Sequence, residues 1–305
     1  MADVREIASG LAFPEGPVWM PDGSILVTEI RRGTITRVLP DGRTEVVAQT
    51  GGGPNGAAIG PDGKLYVCNN GGFEWHEQHG LVLPGNQPAD YIGGRIQRVD
   101  LDTGRVEDLY TACDGHPLRG PNDIVFDATG GFWFTDLGKM RARDRDRTGV
   151  FYARTDGSLI REVLFPLDGG PNGVGLSPDG KRLYVAETYT GRLWAWDVPA
   201  PGTVAPAPAM GNGGALLHDR PGMEMFDSLA VDAAGNVCVA TLVNGGITIV
   251  PPSGEGVRHV AMPDPLTTNI CFGGPDLRTA FITLSATGRL VATEWDTPGL
   301  RLAYS

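Results

Sequence analysis

Cysteine is scarce in this chain of 305 residues: Cys68, Cys113, Cys238 and Cys271 are all there is, and no two form a Cys-x-x-Cys pair. That spacing offers neither a disulfide framework nor a histidine/cysteine zinc site. It points to free, buried thiols in a reducing compartment, and so to a cytoplasmic protein. Residues 1–6 lack the basic segment of a signal peptide, and no apolar stretch follows them. No apolar run approaches the length of a membrane span. Positive charge is short as well. Lys and Arg number 25 against 36 Asp and Glu, a net charge of −11 that argues against nucleic acid or an anionic membrane as partner. Sustained apolar spacing at the helical period is also missing, which disfavours a helical fold.

Glycine and proline, by contrast, are plentiful, with 45 and 24 copies. They fall at regular turns, as expected of many short strands. The turns belong to one repeated unit. In the first copy Pro14-Glu15-Gly16-Pro17-Val18-Trp19 leads through Pro21-Asp22-Gly23 to Ile25–Glu29, and in the second Pro54-Asn55-Gly56 leads through Pro61-Asp62-Gly63 to Leu65–Asn69. The third, Gly120-Pro121-Asn122-Asp123-Ile124-Val125-Phe126, returns after Gly130 as Phe132-Trp133-Phe134-Thr135-Asp136. Three more copies start at Asn172, Asp227 and Asn269. The interval from the opening to the closing polar residue is constant in five copies and one residue longer in the fourth. Pro-Asp-Gly is a turn with a mechanism: proline presets φ, aspartate caps locally, and glycine accepts positive φ. Each hairpin is followed by two further strand-like segments. Six repeats of four strands predict an all-β, six-bladed β-propeller spanning residues 1–305 as one domain. Residues 4–9 precede the first copy as an outer strand precedes the second, so the N-terminal strand is expected to close the last blade. Residues 298–305 form an appended tail, and 199–210 an outer connection in blade four.

The first strand of each blade lines a propeller's channel, so Glu15, Asn55, Asn122, Asn172, Asp227 and Asn269 should converge at one end of it. A single Asn or Asp before a strand is an ordinary Asx turn. Six equivalent positions, none of them basic or apolar, favour a functional grouping. An all-oxygen set with two carboxylates suits one hard divalent cation, Ca²⁺ first, with Mg²⁺, Mn²⁺ or Zn²⁺ as alternatives. Two long segments, 70–94 with Trp75 and His76, and the densely charged 139–148, emerge on the same face and mark it as the binding face. Asn55, Asn122 and Asn269, with Trp75 and His76, are the candidate substrate-binding residues. Asp136, closing the hairpin that Asn122 opens, is a candidate general base.

The hairpins Pro-Glu-Gly-Pro-Val-Trp, Gly-Pro-Asn-Asp, Pro-Asn-Gly with Ser-Pro-Asp-Gly, and Phe-Asp-Ser resemble, in order and spacing, those of the SMP-30/gluconolactonase/LRE family. The resemblance covers essentially the whole chain. It implies a propeller holding one catalytic divalent metal and hydrolysing lactones, with a small sugar-acid lactone as substrate and partner. By position it makes Glu15, Asn172 and Asp227 metal ligands and Asp227 the base as well. It assigns Asn122 to the metal in some members and to substrate in others. Two departures concern substrate: Asp227-Ser228 replaces the frequent Asp-Gly, and Thr135-Asp136-Leu137-Gly138 replaces Thr-Asp-Pro-Pro-Tyr-Gly. The alternatives are an organophosphate or ester hydrolase on the same metal site, or a non-catalytic calcium-binding propeller. Nothing in the residues bears on oligomeric state.

Overall fold

The computed structural model describes residues 4–206, 211–219 and 224–304. Their regular structure is all strand, arranged as six four-stranded antiparallel sheets and two two-stranded ones. Blade one is typical. Pro14–Trp19, Ile25–Glu29, Thr34–Val38 and Thr44–Gln49 pair in chain order from the inside outward. The inner strands of the six blades are Pro14–Trp19, Pro54–Ile59, Pro121–Phe126, Pro171–Leu176, Met225–Val231 and Thr267–Gly273. Each touches the next, and the last touches the first, so they enclose one axis.

Closure occurs as the repeat pattern predicts. Arg5–Ala8 is the outer strand of the sheet whose other members are Thr267–Gly273, Thr279–Leu284 and Arg289–Glu294. Arg5 lies opposite Ala292 and Ala8 opposite Leu290. The core is divided among the blade interfaces. Leu26 and Ile35 pack on Leu65 and Val67, and Phe126, Phe132 and Phe134 pack on Tyr66, Cys68 and Ile96. Equivalent clusters join blades three to four, four to five, five to six and six to one. The second strand of each blade is buried on both faces where blades stack, so Ile25–Glu29 and Leu65–Asn69 read as short, mostly apolar runs. The four cysteines are free, and each lies in or against one of these clusters.

The tail docks across the far end of the channel. Gly299 N donates to Leu277 O at 2.8 Å and Leu300 N to Val231 O at 3.0 Å, while the Tyr304 ring meets Phe126 edge-on at 5.8 Å. Above it is a cavity of 350 Å³ with largely apolar walls, among them Val18, Ile59, Leu176 and Val231, reaching Asp123 and Asn269 at its other end. The described part of segment 199–210 (199–206) connects the two outer strands of blade four, as expected, and residues 207–210 lie outside the described residues.

Candidate active site

Pairing of each inner strand with its neighbour breaks step beside the polar residue that opens the repeat. The register shifts between Glu15 and Val18, Pro54 and Ala57, Pro121 and Ile124, Pro171 and Val174, Phe226 and Leu229, and Thr267 and Asn269. Such irregularities bend a strand and re-aim a side chain, which is why they recur beside functional sites. Glycine after the polar residue lets adjacent inner strands approach. A Cβ on Gly56 would meet Asn122 O at 2.5 Å, and one on Gly173 would meet Asp227 O at 2.6 Å. The register shifts in all six blades, with the glycines of blades one, two and four, go with six polar side chains at one end of the channel.

Glu15 is buried, and its Oε2 accepts bonds from Gly16 N at 2.6 Å and Asn269 Nδ2 at 2.7 Å. Burial pushes its carboxyl well above the usual range, and the Asp227 carboxylate and then Asp123 push it the same way against those two bonds. Asp227 is only half-buried, yet desolvation raises it to about 7, with Asp123 adding to the effect and a bond from Asn172 opposing it. Asn172 is oriented by donating from Nδ2 to Thr188 Oγ1 at 2.9 Å, and its Oδ1 lies 3.4 Å from Ser228 Oγ. The Oδ1 atoms of Asn55 and Asn122 are buried and have no hydrogen-bond partner. Leaving a buried amide oxygen bare costs about 1–3 kcal/mol, so two of them at one channel end ask for a ligand.

The charges acting on Glu15 and Asp227 are other carboxylates, with no Lys or Arg among them. Among the described residues no three His, Cys, Asp or Glu side chains are grouped closely enough to hold an ion by themselves. Amide oxygens must therefore complete any metal site. Two carboxylates with the Asn172 and Asn122 carbonyls form a donor set that fits a hard divalent cation and would relieve the repulsion, while the bare Asn55 oxygen is open to a substrate donor.

Asp123 is the residue that repeat reasoning passed over. Its Oδ1 accepts from Ile124 N and its Oδ2 from Val174 N, both at 3.0 Å, and burial raises it to about 7. The available signal was positional. Blades one, two and four carry Gly16, Gly56 and Gly173 after the polar residue, whereas blade three carries an acid there and uses it to bridge to blade four.

Asp136 does not join this group. Its Oδ2 accepts from Arg119 N at 2.7 Å, and its Oδ1 from Gly120 N at 2.7 Å and Gly138 N at 2.9 Å. Glu29 and Asn69, which close the hairpins of blades one and two, likewise bind Ala12 N and Gly53 N in the segments entering those hairpins. Closing residues thus clip the chain to the blade; burial pushes the Asp136 carboxyl up, and the three backbone N–H groups pull it back down. Trp75 reaches the mouth, its ring 5.0 Å from that of Phe13, two residues before Glu15. His76, the next residue along the same strand, is exposed on the opposite face, because strand side chains alternate.

A profile described as the SMP-30/gluconolactonase/LRE-like region matches residues 13–286. The chain belongs to that family. Among curated relatives it is 26% identical to a protein named gluconolactonase from Zymomonas mobilis, over 92% of this chain and 79% of that one. It is 31% identical to lactonase drp35 of Staphylococcus saprophyticus, over 82% and 69%. Among solved structures it superposes on a calcium-binding protein, regucalcin, from Agrobacterium tumefaciens. The TM-score is 0.75 at 18% identity, covering 99% of this chain and 98% of that one. The six-bladed ring is therefore the family fold, and the polar channel end is the feature of this member that chemistry must explain.

Proposed function

We propose that this member is a metal-dependent lactonase that hydrolyses a small cyclic ester, of the sugar-acid lactone type, by adding water to the ring carbonyl. Support comes from the convergence of Glu15 and Asp227 with the bare oxygens of Asn55 and Asn122, in a chain whose curated relatives are named gluconolactonase and lactonase. Glu15, Asn172 and Asp227 would hold the cation, with Ca²⁺ the first choice and Asn122 turned either to it or to substrate. When bound, the metal supplies Lewis-acid polarisation of the ester carbonyl.

The protein's own groups supply the rest. Asn269 fixes the Glu15 carboxylate through its Nδ2 bond, and Thr188 fixes the Asn172 amide. Asp227, the half-buried carboxylate of the set, would accept a proton from the attacking water, and returning it to the ring oxygen would let the ring open. Asn55 and Asn269, joined by Asn122 where it is turned to substrate, would orient the substrate by hydrogen bonds. The four unpaired thiols, three of them buried, accord with a cytoplasmic setting. Among the described residues no helix is long and apolar enough to cross a membrane.

The deciding assay follows acid release from a panel of aldonolactones before and after treatment with EDTA. Turnover should vanish on chelation and return with Ca²⁺ or another divalent ion. Turnover that survives complete metal removal would overturn the metal mechanism.

A further inference from the structure

Residues 70–94, between Leu65–Asn69 and Arg95–Val99 of blade two, leave their blade and cross the mouth. Their hairpin, Trp75–Gln78 with Leu81–Pro84, is tied down on other blades. Val82 N donates to Ala286 O of blade six at 2.9 Å, and Glu77 pairs with Arg31 of blade one at 2.7 Å. Gln87 N donates to Met140 O, beyond blade three's inner hairpin, at 2.8 Å. This strap carries two half-buried aromatic rings, Phe73 and Trp75, 5.9 Å apart and edge-on, with Trp75 in turn against Phe13.

Beneath the strap is a lysine that the hydrolytic chemistry does not use. Lys139 is buried, with 2% of its surface exposed. Its Nζ donates to Gly72 O at 2.5 Å and Asn70 Oδ1 at 3.3 Å, and sits 3.9 Å from the centre of the Phe73 ring. The acceptors are neutral. Two carboxylates face the ammonium at longer range, and both have other partners: Asp136 holds three backbone N–H groups, and Asp146 holds Arg141 and the Lys139 N–H. Tyr91 presents its ring at 5.8 Å. A buried ammonium held by carbonyls and an aromatic face, not by an ion pair, is an arrangement that fixes neighbouring groups in place.

We propose that Trp75 and Phe73 form a platform at the mouth that receives the C–H face of the lactone ring, remote from its carbonyl, and that Lys139 is the positioning residue holding the platform there. The inference rests on the lactonase reading and specifies what part of the substrate is recognised where: a ring with an apolar face, its hydroxyls directed to the edges. An aromatic ring supplies a large contact area at low entropic cost. Binding of this kind is common to ground state and transition state, so its loss raises KM and spares kcat.

Lys139 also gives the platform a pH dependence. Burial pushes its ammonium down to about 7, with Asp136 and Asp146 pulling it back up. The charged form, which makes the contact with Phe73, is lost as pH rises through that value. KM of the wild type should therefore rise between pH 6 and 9.

The test compares steady-state kinetics of wild type, W75A, W75F, K139M and K139R on glucono-1,5-lactone with the metal-loaded protein. W75A and K139M are expected to raise KM roughly ten-fold with kcat within about three-fold, W75F to restore most of the affinity, and the W75A/K139M pair to add little beyond either alone. K139R, whose guanidinium stays charged, should flatten the alkaline rise in KM. An unchanged KM in W75A or K139M, or an undiminished alkaline rise in K139R, overturns the platform while leaving the lactonase reading intact. A wild type that turns over no lactone overturns the lactonase reading, and the platform falls with it. Should K139M fail to fold, W75A and K139R still decide the matter.

Discussion

Asp227 and Asp136 are both acids next to the channel mouth, and their surroundings separate them. Asp227 sits in a field of other carboxylates and is partly open, whereas Asp136 spends both oxygens on backbone N–H groups. Replacing Asp227 with Asn should reduce turnover to background and weaken metal binding, with circular dichroism unchanged. Wild-type turnover in that variant would remove Asp227 from the mechanism. Replacing Asp136 with Asn should act instead on stability. Burial offsets the gain from its three backbone bonds, and the amide oxygen retains part of them, so a net loss of no more than about 1–2 kcal/mol is expected in urea unfolding. Specific activity per folded molecule should stay near that of the wild type. A folded, inactive D136N would restore Asp136 as a base candidate.

At the level of elements, the inner strand is a strand with one deliberate irregularity. Glycine after the polar residue permits contact between neighbouring inner strands, and the register shift turns the side chain inward. Gly173→Ala tests this, because the added methyl would meet backbone atoms of blade five, the Asp227 oxygen at 2.6 Å and the Leu229 nitrogen at 2.9 Å. Neither neighbour is a flexible side-chain tip, so the strands must part. We expect a cost of about 1–3 kcal/mol and a displaced Asp227, seen as weaker metal affinity in calorimetric titration. Normal stability and affinity would show that the close approach is dispensable. The N-terminal strand is the other informative element. Removing residues 1–9 exposes the edge of Arg289–Glu294 and uncovers the cluster between blades six and one. A clear drop in melting temperature is the expected outcome.

Across the whole molecule, the ring concentrates buried acidic groups on its axis. Asp123 and Asp227 are raised to about 7 and Glu15 well above its usual range, all chiefly by burial. In metal-free protein the native state therefore holds protons that the unfolded chain has released, from about pH 4 upward. Stability must fall as pH rises from there through 7, by on the order of a few kcal/mol. Thermal melts of EDTA-treated protein at pH 5 and 8 should show the lower melting temperature at pH 8. Adding Ca²⁺ should raise it there, by about 2.7 kcal/mol of stabilisation at a hundred-fold excess over Kd. Metal-free protein that is more stable at pH 8 than at pH 5 would mean the carboxylates do not repel in the folded ring.

The repeat was legible because its causes are local. Pro-Asp-Gly turns, short apolar runs and a polar opening residue are each set by a few neighbouring side chains, and their recurrence at constant spacing implied six blades, the closing strand and the alignment of Glu15, Asn55, Asn122, Asn172, Asp227 and Asn269. Other assignments depended on atoms distant in the chain. Nothing near Asp136 in sequence shows that its carboxylate will be taken up by Arg119, Gly120 and Gly138 N–H groups, and nothing near Asp123 shows that it will reach Val174. Lys139 reads as one more charge in a charged loop until the strap folds over it and removes it from water. Periodicity along the chain thus determined which residues face the axis. Desolvation and hydrogen-bond partners, which exist only once the ring has closed, decided which of them are free to act.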